Sequence, residues 1–152
     1  MIDINLIKSY LMQNKLNTVL VIDDDEPTNF LNQMIIEESG CAENIKAVQS
    51  GQEALEYLTR EKDNWSKGPD LIFLDINMPA MNGWEFLEQY KQLDKERQAK
   101  VMVVMLTTSL FPEDEVRARE IPEVSGFENK PLTPEKLDRI LKSFFDTRIM
   151  AK

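Results

Sequence analysis

Carboxylate, hydroxyl and lysine side chains follow the apolar segments of this 152-residue sequence. Asp23 and Asp24 follow the first segment, Asp75 the third, Thr107 the fourth and Lys130 the fifth. Carboxylates that lie close together repel one another, and each raises the pKa of its neighbours unless a cation intervenes. Mg²⁺ suits such a cluster, because it takes one or two carboxylate ligands, keeps several waters and binds phosphate oxygens. With the ammonium of Lys130 as a second positive charge for a phosphoryl group, these residues predict magnesium-dependent phosphoryl chemistry.

The composition excludes several other kinds of site and partner. The chain contains no histidine, which removes Ser-His-Asp and Cys-His nucleophile systems and zinc sites with histidine ligands. A formal net charge of −9 argues against a nucleic-acid-binding surface, since phosphate contacts need clustered lysine and arginine. The single cysteine, Cys41, cannot form an internal disulfide, which suits a reducing cytoplasm. The sequence opens without a secretory signal, and its longest apolar run, 101–106, is far shorter than the roughly 20 residues of a membrane span. We therefore expect a cytoplasmic protein without nucleic-acid or membrane partners.

Five short apolar segments are candidate strands. Segments 18–22, 70–74 and 101–106 are apolar without alternation, which is typical of strands buried on both faces of a parallel sheet. Segments 45–48 and 124–127 are weaker candidates. Because helical spacing follows each strand, the pattern predicts one doubly wound α/β sheet with helices on both faces. Sites in such sheets lie beyond the carboxyl ends of the strands, where the polar residues stand.

The helical segments show apolar residues at helical spacing. They comprise 30–38, 54–58, 86–90 and 137–144, with a weakly amphipathic helix at 112–120. Pro27 and Pro134 are placed in first helical turns, and Thr133 is a candidate N-cap of the last helix.

Each polar motif has an ordinary explanation when it is taken alone. An acidic pair after a strand is commonly a loop start or helix N-cap, and Lys-Pro is commonly a surface turn. Threonine at a strand end is a good strand former, and the Asn-Met-Pro segment before Gly83 is compatible with a turn containing a left-handed glycine. All four motifs occur in order, however, each at the end of its own predicted strand, and this coincidence favours a functional site.

The chain resembles the receiver domain of bacterial two-component response regulators. The matching motifs are Val-Ile-Asp-Asp-Asp at 21–25, Leu-Asp-Ile-Asn-Met-Pro at 74–79 with Asn-Gly at 82–83, Leu-Thr-Thr at 106–108 and Phe-Glu-Asn-Lys-Pro at 127–131. The resemblance covers residues 18–146. It implies a flavodoxin-like, five-stranded parallel sheet of strand order 2-1-3-4-5.

The resemblance also implies roles for single residues. Asp75 corresponds to the aspartate that accepts the phosphoryl group. Asp24 is expected to bind Mg²⁺ directly and Asp23 through water. Asp75 and the backbone carbonyl of Asn77 complete the implied metal shell.

Three further residues resemble the family's catalytic and switch positions. Thr107 corresponds to the hydroxyl residue that bonds a phosphoryl oxygen, and Lys130 to the lysine that pairs with it. Phe127 stands at the aromatic switch position, and the Lys130–Pro131 peptide bond is expected to be cis. The implied partners are a sensor histidine kinase or histidine phosphotransfer protein and an unknown downstream protein. The implied protein is a monomer or a weak, phosphorylation-dependent dimer.

The sequence departs from the family pattern in three places. Residues 1–17 precede the receiver, and their apolar residues at helical spacing predict an extra helix, with a frayed tail or a partner-binding helix as alternatives. Thr108 is bulkier than the small residue usual after the hydroxyl position, and the segment 61–69 is long. We expect an N-terminal extension at 1–17, a receiver at 18–146 and a tail at 147–152. These lengths leave no room for an output domain, so a stand-alone receiver is expected.

Two alternative functions compete with this prediction. A haloacid-dehalogenase-type phosphatase also uses a strand-end aspartate, Mg²⁺, threonine and lysine, but it needs Asp-x-Asp-x-Thr where Asp75 is followed by Ile-Asn-Met. A degenerate receiver that serves only as an interaction scaffold would lack the acceptor or the lysine, and both are present. Acetyl phosphate with Mg²⁺ distinguishes them, because a receiver takes up one phosphoryl group transiently.

Overall fold

The structure is a computed structural model that describes residues 3, 5, 6, 15–60, 68–99 and 102–150. Its strands and helices alternate along the chain: β1 (Leu16–Ile22), α1 (Glu26–Ser39), β2 (Ala42–Val48), α2 (Gly51–Thr59), β3 (Leu71–Asp75), α3 (Gly83–Tyr90), β4 (Met102–Thr107), α4 (Pro112–Arg119), β5 (Gly126–Asn129) and α5 (Pro134–Met150). None of the helices in the described part of the chain combines the length and apolar character needed to cross a membrane.

All five strands are parallel and lie in the order β2-β1-β3-β4-β5, which confirms the predicted fold class. The register pairs Ile22 with Leu74, and Asp75 with Leu106. Thr107 in turn pairs with Asn129. The carboxyl ends of β1, β3, β4 and β5 therefore meet at one edge of the sheet.

Two apolar clusters fill the two faces of the sheet. Alternate residues of β1 enter different clusters: Val19 and Val21 pack with α1 and α5, whereas Leu20 and Ile22 pack with α2, α3 and α4. Both sets are essentially inaccessible to solvent. Burial on both faces explains why this strand shows no polar alternation in the sequence.

The starts of α1 and α5 agree with those predicted from the sequence. Pro27 lies in the first turn of α1, where the side chain of Asp25 accepts a hydrogen bond from the backbone N–H of Thr28 at 3.1 Å. Pro134 begins α5, and the hydroxyl of Thr133 accepts from the backbone N–H of Lys136 at 3.1 Å, as expected of an N-cap. The weakly amphipathic segment 112–120 is helical as α4.

Two expectations need correction. The fifth strand begins at Gly126, so Val124 lies before it and the strand extends to Asn129 instead. In α1 the apolar residues at helical spacing form only part of the buried face, where Ile35 packs against the core. Phe30 and Leu31 are 61% and 57% exposed, whereas Asn29 is buried. On the buried face, the Asn29 side chain donates hydrogen bonds to backbone carbonyls.

Two predicted features lie largely outside the described residues. Of the N-terminal extension, the structure describes residues 3, 5 and 6 and then residues 15–17. The long segment before β3 is described only from Gly68. The extra helix and the three domain boundaries therefore remain predictions.

Candidate functional site

Asp23 follows β1 and is held on several sides. Asp23 is 2% exposed, and its Oδ1 accepts a hydrogen bond from the backbone N–H of Asp25 at 2.9 Å. Its backbone N–H donates to the carbonyl of Val48 at 3.2 Å, which ties the end of β1 to the end of β2. Asp24, the next residue, is exposed to solvent. The acidic pair thus offers one buried and one accessible carboxylate.

Asp75 is the last residue of β3 and is only 4% exposed. The chain then turns back sharply, and the backbone N–H of Gly83 donates to the carbonyl of Ile76 at 2.7 Å. A Cβ atom at Gly83 would stand 2.6 Å from the carbonyl oxygen of Asp75, so only glycine fits there. The left-handed backbone of this turn is at Ala80, with φ 65°, and not at the glycine. Glycine is therefore needed for the close approach behind Asp75.

Asn82 and Glu85 fix the start of α3 just after this turn. The Asn82 side chain accepts from the backbone N–H of Glu85 at 2.9 Å, and the Glu85 carboxylate accepts from the backbone N–H of Asn82 at 3.0 Å. This reciprocal capping box satisfies backbone donors that the helix itself leaves free. The turn that carries Asp75 and Asn77 is thereby anchored at both ends.

Thr107 and Lys130 come from the two strands beyond Asp75. Thr107 is fully buried at the end of β4, and its Oγ1 accepts from the backbone N–H of Ser109 at 2.9 Å. The backbone N–H of Lys130 donates to the carbonyl of Thr107 at 2.8 Å, which places the lysine beside β4. The Lys130–Pro131 bond is cis, as the family resemblance implied.

The ends of β1, β3 and β5 bring their charged groups together. Carboxylate oxygens of Asp23, Asp24 and Asp75 lie within 4.8 Å of one another. The ammonium of Lys130 stands 2.5 Å from Asp23 Oδ2 and 3.1 Å from Asp75 Oδ1. Three carboxylates thus face one ammonium, and the cluster carries excess negative charge at neutral pH.

Burial and charge perturb the titration of two of these groups. Burial, together with the charge of Asp23, raises the pKa of Asp75 from 3.8 to about 6, against the opposing effects of Lys130 and a backbone hydrogen bond from Asn77. Burial alone would lower the pKa of Lys130, but its hydrogen bond to Asp23 and the charges of Asp23 and Asp75 outweigh burial and raise that pKa. Lys130 is therefore a fixed positive charge, whereas Asp75 changes charge near pH 6.

The donor set fits a magnesium ion. The three carboxylates supply hard oxygen ligands close enough to share one cation, and Asp24 leaves the site open to the waters that Mg²⁺ retains. Asn77 is exposed on the turn directly after Asp75, at the rim of this cluster. A divalent cation would also offset the excess negative charge.

Phe127 lies on the central part of β5, away from the charged cluster. It pairs with Met105 in the sheet, and Met105 points to the same face as Thr107 because the two residues are two positions apart on β4. The partly buried ring packs against the apolar cluster of α2, α3 and α4. Phe127 lines two open surface grooves of about 250 and 260 Å³, one bordering α4 and the other α5.

Asn29 is a buried residue near the site that the sequence pattern did not predict. This residue is 4% exposed on the first turn of α1, and its Nδ2 contacts backbone carbonyls at the ends of β1 and β2. Its position between Thr28 and Phe30 gave no sign of burial. The available signal was its place six residues after Asp23, on the first turn of the helix that follows the acidic pair.

Comparison with known proteins agrees with this architecture. The family model of the response regulator receiver domain matches residues 19–142, so the chain belongs to that family. It is thus a receiver domain of two-component signalling systems, a family whose members accept phosphoryl groups from histidine kinases. Because the chain belongs to the receiver family, its motifs are not those of a haloacid-dehalogenase-type phosphatase.

Three relatives illustrate the range of the family. Probable methanogenesis regulatory protein FilR2 of Methanothrix harundinacea is 30% identical over 124 residues, which are 82% of this chain and 78% of that protein. Hybrid signal transduction histidine kinase L of Dictyostelium discoideum is 29% identical over 132 residues, 85% of this chain but 7% of that protein. The crystal structure of a two-component response regulator from Cytophaga hutchinsonii has a TM-score of 0.78 at 36% identity, and the match covers 87% of this chain and 98% of that one.

Proposed function

We propose that this chain is a single-domain response regulator that accepts a phosphoryl group on Asp75 in a magnesium-dependent reaction. The observation that carries the proposal is the position of the Asp75 carboxylate. It is nearly buried, lies 3.1 Å from the ammonium of Lys130 and shares a compact cluster with Asp23 and Asp24. A nucleophile, a fixed cation and a set of metal ligands are thereby brought together.

The reaction is an in-line displacement at phosphorus. A carboxylate oxygen of Asp75 attacks, the phosphorus–oxygen bond forms, and the phosphorus–nitrogen bond to a histidine of the donor breaks. This chain contains no histidine, so the donor histidine lies outside it, on a sensor kinase or a phosphotransfer protein. Asp24 would hold the metal directly and Asp23 through water, and Asp75 and the carbonyl of Asn77 would add further ligands. When bound, Mg²⁺ neutralises charge on the phosphoryl oxygens.

Lys130 and Thr107 hold the transferred group. The ammonium already contacts Asp75, so it is placed to form a charge-assisted hydrogen bond with a phosphoryl oxygen. The Thr107 hydroxyl accepts from the Ser109 N–H and keeps its own hydrogen free to donate to another phosphoryl oxygen. Water that attacks along the same axis would hydrolyse the acyl phosphate and reset the protein.

Phosphorylation is read out through Thr107 and Phe127. Movement of Thr107 towards the phosphoryl group vacates space on the face of the sheet where Phe127 packs. Because Phe127 has no hydroxyl, its inward rotamer desolvates no polar group. Phosphorylation therefore shifts an existing equilibrium between the outward and inward rings, and the affected surface is that of α4, β5 and α5.

The proposed partners follow from the same chemistry. An upstream histidine kinase or phosphotransfer protein supplies the phosphoryl group, and an unknown downstream protein binds the altered surface. We place the protein in the cytoplasm without nucleic-acid or membrane partners, as a monomer or a weak, phosphorylation-dependent dimer. The receiver occupies residues 18–146, between an extension at 1–17 and a tail at 147–152.

The test is phosphorylation by acetyl phosphate in the presence and absence of Mg²⁺, followed by intact-protein mass spectrometry. We expect one transient phosphoryl adduct with Mg²⁺ and none when the metal is chelated. Asp75→Asn should abolish the adduct because an amide cannot form the acyl phosphate. Asp94→Asn is the matched control, since Asp94 is exposed and precedes β4, at the opposite end of the sheet. Absence of any adduct on the wild-type protein would favour the interaction-scaffold alternative, and a full adduct on Asp75→Asn would refute the assignment of the acceptor.

A further inference from the structure

We infer that Asn29 is a positioning residue for the metal site and that its side-chain amide fixes the peptide between Asp23 and Asp24. This inference rests on the proposed function. It assigns a role to a buried polar residue on α1 that makes no direct contact with the three carboxylates in the described structure.

Both amide hydrogens of Asn29 are engaged by the backbone. Nδ2 donates to the carbonyl of Asp23 at 2.8 Å and to the carbonyl of Val48 at 3.1 Å. The Val48 carbonyl also accepts the backbone N–H of Asp23 at 3.2 Å. Asn29, Asp23 and Val48 therefore form a closed set of hydrogen bonds that joins α1 to the ends of β1 and β2.

The orientation of the Asn29 side-chain amide follows from its two hydrogen-bond partners, which are both backbone carbonyls. If its oxygen and nitrogen exchanged places, Oδ1 would face two carbonyl oxygens, which accept and cannot donate. In the observed direction, Oδ1 of Asn29 is buried without a hydrogen-bond partner among the described residues. An unpaired buried acceptor is unfavourable, so the residue is poorly suited to a purely stabilising role. Its two donated hydrogen bonds are what it contributes.

These hydrogen bonds act on the two carboxylates differently. The Asp23 carboxylate has its own partners in the backbone N–H of Asp25 and the ammonium of Lys130. Among the described residues, no hydrogen bond or ion pair to the exposed Asp24 carboxylate is present. The direction in which Asp24 projects thus depends on its backbone, and the carbonyl held by Asn29 belongs to the peptide that precedes it.

The consequence is a specific effect on metal affinity. Removing the amide frees the Asp23–Asp24 peptide to rotate, so the carboxylate proposed to bind the metal directly loses its preset direction. Asp75 and Lys130 should remain in place, because neither shares a hydrogen bond with Asn29 in the described part of the chain. Once the metal is bound, the carboxylates are held by the ion itself, and phosphoryl transfer proceeds normally.

The experiment compares Asn29→Ala with Asn32→Ala. Asn32 lies on the same helix and has the same 4% exposure. Among the described residues, its side chain makes no hydrogen bond to the loop of Asp23 and Asp24. Calorimetric titration with MgCl₂ should give a dissociation constant raised about tenfold for Asn29→Ala, the usual size for loss of a group that orients a metal ligand, and an unchanged constant for Asn32→Ala. The phosphorylation rate with acetyl phosphate at saturating Mg²⁺ should match the wild type in both.

Two results would overturn the inference: an unchanged dissociation constant in Asn29→Ala, or a rate that saturating Mg²⁺ does not restore. Failure of the proposed function is distinguishable, because the wild-type protein itself would then bind no Mg²⁺ or accept no phosphoryl group. If Asn29→Ala does not fold, NMR of the wild-type protein decides. The side-chain amide of Asn29 should exchange slowly with solvent and shift on Mg²⁺ addition more than that of Asn32. An Asn29 amide that exchanges fast or does not shift would refute the inference.

Discussion

Replacing Asp75 by asparagine is expected to stabilise the protein at neutral pH, even though it removes the proposed phosphoryl acceptor. The carboxylate is buried beside Asp23, and this environment raises the pKa of Asp75 from 3.8 to about 6. At neutral pH the side chain is still mostly ionised, but folding makes the ionised form less favourable than it is in the unfolded chain. Asparagine has the same shape and carries no charge at any pH, so it avoids the cost of the buried carboxylate.

The size of the effect follows from the difference in pKa. About two pKa units at about 1.36 kcal/mol each set an upper limit of about 3 kcal/mol. The amide must find hydrogen bonds in a buried site, which reduces the gain, so we expect about 1–3 kcal/mol in the free energy of unfolding at pH 7.5. For a protein of this length, that corresponds to roughly 2–10 °C in Tm.

The pH dependence identifies the cause. Because folding raises the pKa of Asp75, the folded protein holds a proton that the unfolded chain releases between pH 3.8 and about 6. The contribution of this group to stability is thus fully present below pH 3.8 and is lost as pH rises through about 6. The advantage of Asp75→Asn should accordingly be near its maximum at pH 7.5 and several-fold smaller near pH 4.

Urea denaturation of both proteins at the two pH values, with a chelator to exclude bound metal, measures this difference. Asp24→Asn is the control, since Asp24 is exposed and solvent screens its charge. The reasoning is wrong if Asp75→Asn is no more stable than the wild type at pH 7.5, or if its advantage is the same at pH 4.

Three further predictions concern the metal, the switch and the turn. Asp24→Ala should weaken Mg²⁺ binding more than Asp23→Ala in calorimetric titration, because Asp24 is placed as a direct ligand; equal affinity in Asp24→Ala and the wild type would remove it from the site. Thr107→Ala should still accept phosphate but show a reduced NMR response around Phe127 to beryllofluoride, a stand-in for the phosphoryl group; a wild-type shift pattern would disprove this coupling. Gly83→Ala should lower Tm, since the new Cβ would stand 2.6 Å from a backbone carbonyl oxygen, and an unchanged Tm would show that the turn can adjust.

The sequence was sufficient to predict which residues gather at the site. Asp23, Asp75, Thr107 and Lys130 each follow an apolar segment, and parallel strands place their carboxyl ends at one edge. The sheet order came from the family resemblance, because apolar runs alone do not specify which strands are neighbours. The distances within the cluster, such as those from Lys130 to its two carboxylates, depend on turns that no short pattern encodes.

The features that were mispredicted depend on tertiary contacts. In α1, Phe30 and Leu31 carry the apolar signal, but backbone carbonyls at the strand ends need a donor, and Asn29 supplies it from the buried face. Strand β5 is short and includes Gly126, so its register is set by pairing with Val104 and not by strand propensity. The left-handed conformation of Ala80 is likewise imposed by the turn around it.

The ion pair between Asp23 and Lys130 joins residues that are 107 positions apart in the chain. Closing a loop of that length carries a large entropic cost, so this contact depends on prior pairing of the intervening strands. During synthesis, Asp75 leaves the ribosome well before Lys130, and the nascent chain carries the proposed acceptor without the ammonium that faces it. A chain truncated before Lys130 would retain the three carboxylates of the cluster but lack the ammonium that faces them. The chain can therefore take part in the proposed phosphoryl transfer only after Lys130 has been synthesised.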